Sequence, residues 1–157
     1  GEYLMNYSGL NFVIFRPHNI FGKQMGFAHV IPQLTKKILK NGKKKIIINN
    51  SKHKRTFCDV DFAIELILNI SHSKDSLKKI FNIGSPEKEI SIMQLAKKIK
   101  RILNSKNKLI SSNLEKDNSP EKRRPDMKRS LSYTKLKHNF EKRLKETVLW
   151  YKRHYTK

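Results

Sequence analysis

The chain has 157 residues, of which 37% are hydrophobic, so it is long enough for one modest domain with a packed core. Its single cysteine, Cys58, excludes an internal disulfide and a zinc site built on cysteines. The formal net charge of +22 is compatible with a site for polyanions such as nucleic acid, or with a Lys-, Ile- and Asn-rich composition that has no binding role.

No apolar run approaches the length that a membrane span needs. The opening residues, GEYLMNYSG, lack the basic region and cleavage site of a secretory signal. We therefore expect a cytoplasmic chain without a membrane partner. Cys58 lies within an apolar run, which favours a buried core thiol over a nucleophile.

Strands and helices alternate in the first third of the chain. Residues 11–16 are mostly β-branched or aromatic and predict a strand buried on both faces, as in a parallel sheet covered by helices. Apolar residues at helical spacing predict a helix over 27–39, in which Pro32 is acceptable because it lies in the first turn. The other elements predicted here are the end of a helix at 1–7, a helix cap at Asn41–Gly42 and a short strand at 45–48.

The alternation continues to the end of the sequence. Ser91 precedes the most regular amphipathic pattern in the chain, which predicts a helix. The remaining predictions are strands at 55–60 and 80–83, helices at 61–70 and 144–155, and an extended polar loop at 113–125. This order indicates an α/β chain, but its strands are few and short for a complete sheet.

Four separated segments carry a resemblance to a known family. They are RPHNIFG at 16–22 with HVIPQ at 29–33, RTFC at 55–58, FNIG at 81–84, and RRPD at 123–126 followed by ETVLWY at 146–151. In this order the segments resemble the C-terminal portion of NAD-dependent nucleotide-sugar epimerases and dehydratases, the extended short-chain dehydrogenases. The resemblance implies an α/β, extended Rossmann-type fold, with residues 1–157 as its substrate-binding portion and the N-terminal dinucleotide-binding half absent.

The resemblance also implies a reaction for the intact enzyme. Such an enzyme would bind a UDP-, dTDP- or GDP-sugar, oxidise the C4 hydroxyl with NAD, and then re-reduce, dehydrate or decarboxylate the 4-keto sugar. Its products would serve the synthesis of cell-surface polysaccharide or glycan precursors, and the intact enzyme could be a homodimer. No Gly-rich turn opens this sequence, and no Tyr-x-x-x-Lys pair lies on a helix before Phe12, which is where the family has it. We therefore expect the chain alone to be inactive and to bind NAD poorly.

Arginines are the candidate diphosphate ligands. Arg55 matches the diphosphate-binding arginine of the family, and Arg123 or Arg124 matches the second one. Guanidinium groups suit this role because they donate paired, charge-assisted hydrogen bonds in a fixed fork. Each could instead be one more solvated cation in a basic protein.

The resemblance points to four further site residues. Asn19 matches the asparagine that hydrogen-bonds the diphosphate or sugar, although it could be only a turn residue. His29 and Val30 match the positions that meet the nucleotide base. His18 lies where the family's loop comes close to the nicotinamide end of NAD.

The sequence departs from the family pattern at several positions. Asn49 and Ser51 replace glycines before Arg55. The family often has an acidic residue near the start of the next helix, but here that position holds Phe62, and Asp61 lies one position earlier. The link between 140 and 147 is shorter than usual. The remaining histidines have no metal-ligand spacing, so we expect no metal site and place them at the surface: His53, His72, His138 and His154.

Two alternatives stay open from the sequence. A basic nucleic-acid-binding module is supported by the net charge, but the sequence shows no Arg-rich recognition helix, stacking aromatic pattern or zinc framework. Nucleic acid is therefore not the partner we expect. A non-catalytic remnant is the other alternative, and it would expose an apolar face that a missing half should cover.

Overall fold

The computed structural model of the protein describes residues 11–41, 44–112 and 120–155. The predictions for residues 1–7, for Gly42 and for positions 113–119 lie outside these ranges. The strands are β1 (Ile14–Pro17), β2 (Ile20–Phe21), β3 (Lys45–Ile48), β4 (Lys54–Arg55), β5 (Cys58–Asp59), β6 (Ile80–Ile83), β7 (Ile90–Ser91), β8 (Lys108–Ser111) and β9 (Lys122–Arg123). The helices are α1 (Val30–Lys40), α2 (Val60–Ser71), α3 (Ile92–Ile102), α4 (Lys128–Leu131) and α5 (Phe140–Tyr155).

Most strand pairs are parallel, which confirms the α/β class. Strand β1 pairs with β6 so that Ile14 faces Ile80 and Pro17 faces Ile83. Strands β2 and β5 form a second parallel pair, and β3 and β8 a third. Strand β4 lies between antiparallel β7 and parallel β9. Parallel pairs need crossover connections, which here are supplied largely by the helices.

Two apolar clusters form the core. Helices α1, α3 and α5 pack on one another and bury their apolar faces with strand β3, as the amphipathic patterns predict. Helix α2 packs against β6 in the second cluster. Cys58 is fully buried there, as expected for a core thiol. Buried residues of the two clusters include Ile31, Ile38, Ile46, Leu95, Ile99, Leu144 and Val148 in the first, and Leu66, Ile70, Phe81 and Ile83 in the second.

Local signals position the helix ends. The Ser91 hydroxyl accepts a hydrogen bond from Gln94 N at 3.0 Å, and the Gln94 side chain accepts one from Ser91 N at 2.7 Å. This capping box confirms the predicted start of α3. The Asp59 carboxylate caps α2 by accepting from Phe62 N at 3.1 Å. Pro32 lies in the first turn of α1, where its missing N–H costs no helical hydrogen bond.

Several predictions about local structure need correction. Strand β1 spans Ile14–Pro17 and is half-buried or exposed, not buried on both faces as predicted for 11–16, and the helix predicted over 27–39 begins at Val30. The strand predicted at 55–60 is interrupted at Thr56–Phe57, and residue 60 already belongs to α2. Helix α5 begins at Phe140 rather than 144, because the Glu87 carboxylate accepts a hydrogen bond from Phe140 N at 3.1 Å. The predicted loop 113–125 contains strand β9 in its described part.

The surface location predicted for the four histidines is half right. His72 and His154 are exposed as expected. His53 is buried, however, and the side chain of His138 is 0% exposed. Burial of His138 follows from two carboxylates that lie far from it in sequence, as described below. No helix in the described part of the chain combines the length and apolarity that crossing a bilayer requires.

Candidate functional site

The loop after β1 is joined to the connection between β4 and β5. Asn19 adopts a left-handed backbone with φ of 46°, a conformation that asparagine tolerates better than most residues. Its Nδ2 donates to the Thr56 carbonyl oxygen at 3.0 Å, and Cys58 N donates to the Asn19 carbonyl oxygen at 3.2 Å. These bonds place Asn19 beyond the carboxyl end of β1, the edge where ligands bind in open parallel sheets.

Three of the six predicted substrate-binding residues line one cavity. This cavity of about 200 Å³, called here the Asn19 cavity, is bordered by Asn19, His29 and Val30. His29 is the residue before the first turn of α1, and its side chain makes no capping hydrogen bond. The other lining residues carry no charge: Ile20, Phe21, Met25, Ala28, Ile31 and Phe57. Apolar walls with a few polar groups suit a neutral planar ring that has a polar edge.

Arg55 lines a second cavity next to the first. This cavity of about 190 Å³, called here the Arg55 cavity, shares Phe57 with the Asn19 cavity. One guanidinium nitrogen of Arg55 donates to the carbonyl oxygens of Lys54 at 2.8 Å and Glu121 at 3.1 Å. The charged residues around the cavity are three cations and two anions: Arg55, Lys88, Lys98, Glu87 and Glu141.

The structure separates the other two predicted arginines. Arg123 on β9 occupies the position opposite Arg55 on β4, so the structure brings these sequence-distant residues together. Arg124 points elsewhere: its Nη2 donates to the Pro86 carbonyl oxygen at 3.4 Å. Arg124 lines a third cavity of about 370 Å³, which shares Ser85 with the Arg55 cavity.

His18 is the one residue that the resemblance directs toward NAD. Its Nε2 is buried and has no hydrogen-bond partner within the described residues. A Cβ added to Gly84 would lie 3.3 Å from His18 Cβ and 2.8 Å from Pro125 Cγ. The backbone after β6 therefore packs closely against His18, which follows β1, and against Pro125. The described part of the chain therefore has one unpartnered buried polar atom at this edge, His18 Nε2.

A buried ionic cluster beside the Arg55 cavity was missed in the sequence. His138 Nδ1 lies 2.7 Å from Glu87 Oε1, and His138 Nε2 lies 3.1 Å from Asp59 Oδ2. Arg143 joins the cluster, with Nε 3.5 Å from Asp59 Oδ1 and Nη1 3.0 Å from Asp61 Oδ2. Only the capping pattern at Asp59 is local, so no sequence signal could have linked its carboxylate to His138.

The cluster shifts the ionisation of its members. Burial alone lowers the pKa of His138, but hydrogen bonds to Asp59 and Glu87 and the charges of both carboxylates outweigh it, so the pKa is raised. Burial alone raises the pKa of Asp59, but hydrogen bonds from His138 and Phe62 N and the charges of His138 and Arg143 outweigh it. The pKa of Asp59 is therefore lowered.

The fold is shared with enzymes that act on nucleotide sugars. UDP-glucose 4-epimerase from Thermotoga maritima, solved with UDP-glucose, aligns over 97% of this chain with a TM-score of 0.79 and 21% identity. UDP-glucuronic acid 4-epimerase from Bacillus cereus, solved with UDP-glucuronic acid and NAD, aligns over 90% with a TM-score of 0.76 and 17% identity. This chain covers 49% and 45% of those two proteins.

Sequence comparison identifies the family. The bifunctional polymyxin resistance protein ArnA of Wigglesworthia glossinidia brevipalpis is 37% identical over 110 residues, which are 64% of this chain and 17% of that protein. The sequence profile of the NAD dependent epimerase/dehydratase family matches residues 2–84, which is just over half of the chain. The protein belongs to the NAD dependent epimerase/dehydratase family.

Proposed function

We propose that these 157 residues are the C-terminal, nucleotide-sugar-binding portion of an NAD-dependent epimerase or dehydratase, with a UDP-sugar as ligand. The observation that carries this proposal is the contiguity of the Asn19 and Arg55 cavities through Phe57. A neutral cavity beside a cationic one matches the two ends of a nucleoside diphosphate, a planar base and a pair of charged phosphates. The UDP-sugars solved with the two epimerases support the choice of ligand.

Each predicted residue receives a role in this arrangement. His29 and Val30 border the base, and the Asn19 amide hydrogen-bonds the diphosphate or sugar, since it can donate and accept. Arg55 and Arg123 neutralise the diphosphate. Arg124 lies on the side of the third cavity and would meet the sugar or the distal phosphate. The apolar walls of the Asn19 cavity exclude water from the base and so strengthen its hydrogen bonds.

The chemical step depends on groups beyond these residues. NAD, when bound to the intact enzyme, would accept a hydride from C4 of the sugar. Family tyrosine and lysine residues outside this sequence would move the proton, and His18 is the candidate among the described residues for the nicotinamide end. The residues of this chain bind and orient the sugar nucleotide. We place the reaction in the synthesis of cell-surface polysaccharide or glycan precursors in the cytoplasm, by an enzyme that can be a homodimer.

Calorimetric titration of the 157-residue chain with UDP-glucose tests the binding proposal. We expect saturable binding that Arg55→Ala weakens about ten- to a hundredfold, because a charge-assisted hydrogen bond contributes roughly 1.5–3 kcal/mol. Arg101→Ala is the matched control, since Arg101 is an exposed cation in the last turn of α3 and its loss changes the net charge equally. The control should bind within about twofold of the parent.

Two results would overturn this function. One is the absence of saturable binding by UDP-glucose. The other is an equal loss of affinity in Arg55→Ala and Arg101→Ala, together with a steep dependence on salt, because this is how a nonspecific polyanion surface behaves.

A further inference from the structure

His138 connects three separate parts of the fold through one imidazole. Its Nε2 side faces the Asp59 carboxylate, which caps α2, and its Nδ1 side faces the Glu87 carboxylate in the loop between β6 and β7. The same Glu87 oxygen accepts a hydrogen bond from Phe140 N at the start of α5. The Phe62 ring packs edge-on against the imidazole at 5.2 Å between centroids. The ring is therefore fixed on several sides.

Glu87 also belongs to the wall of the Arg55 cavity, where its side chain is 41% exposed. The negative charge of this carboxylate thus faces both the buried His138 and the cavity proposed for the diphosphate. The charged groups that surround the pair come from every neighbouring element. They are Asp59 and Asp61 near the start of α2, Arg143, Glu146 and Glu141 on α5, Lys98 on α3, Lys88 in the Glu87 loop and Arg55 on β4.

The imidazole can be hydrogen-bonded in both protonation states without moving. As an imidazolium it donates from Nδ1 to Glu87 at 2.7 Å and from Nε2 to Asp59 Oδ2 at 3.1 Å. As a neutral ring protonated on Nδ1 it keeps the Glu87 bond, and Nε2 can accept from Asp59 N at 3.2 Å. Loss of the proton therefore alters the charge beside Glu87 while each ring nitrogen keeps a hydrogen-bond partner. It also turns the Nε2 lone pair toward Asp59 Oδ2, 3.1 Å away, which favours the protonated ring.

We propose that His138 is a positioning residue for the Arg55 cavity. The positive charge of the imidazolium holds the Glu87 carboxylate in place and neutralises it, so that proton loss from His138 weakens the binding of an anionic ligand. The inference rests on the proposed function, since it needs a diphosphate in this cavity. When the imidazole is neutral, the full charge of Glu87 repels the diphosphate and competes for Arg55. When the imidazole is charged, the cations of the cavity act on the ligand.

The pKa of His138 sets the pH range of the effect. Because its folded-state pKa is raised above the ordinary value of about 6.5, His138 is charged at and below that pH. Affinity should be highest there and should fall as the pH rises through the folded-state pKa. A nucleoside diphosphate sugar is a suitable probe because neither of its phosphates titrates in this range.

The first measurement is the affinity of the 157-residue chain for UDP-glucose between pH 5.5 and 8 by calorimetry, a range in which neither the phosphates nor the uracil of the probe titrates. We expect a roughly three- to tenfold loss of affinity toward the alkaline end, as a change of one unit charge beside a partly exposed anion site would give. In His138→Gln this dependence should disappear, and affinity at pH 6 should equal the weaker, alkaline value of the parent. His72→Gln, at an exposed position, is the control and should keep the full dependence.

The second measurement separates this charge effect from simple damage to the fold. Glu87→Gln in the His138→Gln background removes the uncompensated carboxylate, so affinity should return to at least the pH 6 value of the parent and stay flat with pH. A merely structural role for His138 predicts no such recovery.

Each other outcome decides against a specific claim. Saturable binding with the same pH dependence in the parent and His138→Gln overturns the inference alone, as does failure of the double variant to recover. Absence of saturable UDP-glucose binding at every pH overturns the proposed function and the inference with it.

Discussion

Arg55 and Arg123 lie side by side at matching positions of the parallel strands β4 and β9, and the positions before them hold Lys54 and Lys122. Like charges opposite each other on neighbouring strands destabilise a sheet. A bound diphosphate would reverse the sign of this interaction, because the anion is attracted by both guanidinium groups. The pairing of these like charges is therefore unfavourable in the free protein, and a bound diphosphate would relieve it.

This arrangement predicts opposite effects of one substitution on stability and on binding. Arg123→Gln should raise the free energy of unfolding of the free protein by roughly 0.2–1 kcal/mol and should weaken UDP-glucose binding. Thermal denaturation and calorimetry measure the two effects. Lys97→Gln on the exposed face of α3 makes the same change in net charge. An equal stabilisation by this control would show that net charge, and not the pairing of Arg55 with Arg123, is responsible.

Gly22 is required by the close approach of α2. A Cβ at Gly22 would lie 2.7 Å from Val60 Cγ1 and 3.3 Å from Val60 Cβ. We expect Gly22→Ala to destabilise the protein by about 1–3 kcal/mol through overpacking, measured by urea denaturation. The double variant Gly22→Ala, Val60→Ala should recover most of the lost free energy of unfolding. Gly26→Ala is the matched control, because nothing lies within 4 Å of its Cβ, and a loss as large as that of Gly22→Ala would contradict the steric explanation.

Leu144 is the test of the main core. Its side chain is 0% exposed between the helices, whereas Leu136 is 47% exposed before α5. Leu144→Ala should lower the free energy of unfolding by about 2–5 kcal/mol, because it removes buried apolar surface and leaves a cavity. Leu136→Ala should change it by less than about 0.5 kcal/mol. Urea denaturation distinguishes the two, and similar losses would mean that α5 is not packed as described.

Asp59 gives a pH-dependent stability. Asp59→Asn keeps a good helix cap for α2 but removes the charge that faces His138 and Arg143. At pH 6 we expect a loss of about 1–3 kcal/mol. Because the folded-state pKa of Asp59 is lowered, its stabilising contribution is present above about pH 3.9 and is lost as the pH falls below that value. The parent and the variant should therefore converge in acid, and a constant difference down to pH 2 would contradict the ion pair.

Cys58 should be unreactive in the folded protein. Burial, assisted by the charge of Asp59, raises the pKa of its thiol to about 12, so about one thiol in ten thousand is ionised at pH 8. We expect its reaction with Ellman's reagent to be slow in buffer and fast in urea, with unfolding as the limiting step. A native rate close to that of free cysteine would show that the thiol is accessible.

Short-range patterns predicted the elements whose stability is local. Strands 45–48 and 80–83 and the start of α3 were predicted at the correct residues, because apolar content and capping determine them within a few positions. Strand β8 was missed: it contains only two apolar residues, Leu109 and Ile110, and exists because it pairs with β3. The interruption of the predicted strand at Thr56 also depends on a distant residue, because the Asn19 side chain donates a hydrogen bond to the Thr56 carbonyl oxygen.

The candidate site shows the same division. The resemblance assigned Asn19 to the diphosphate or sugar and His29 and Val30 to the base, and the structure brings all three to one cavity. The burial of His138 could not be predicted, because its partners Asp59 and Glu87 are 79 and 51 residues away in sequence. The energy that keeps an imidazole buried comes from those distant carboxylates, and no local pattern encodes it.

Tyr151 on α5 donates a hydrogen bond to the carbonyl oxygen of Met25, which borders the Asn19 cavity. During synthesis Met25 leaves the ribosome long before Tyr151: 126 residues separate them, on the order of ten seconds at about 5–20 residues per second. The cavity wall thus stays unsupported while most of the chain is being translated. A ligand that needs this supported wall would therefore stabilise the completed chain more than the early nascent chain.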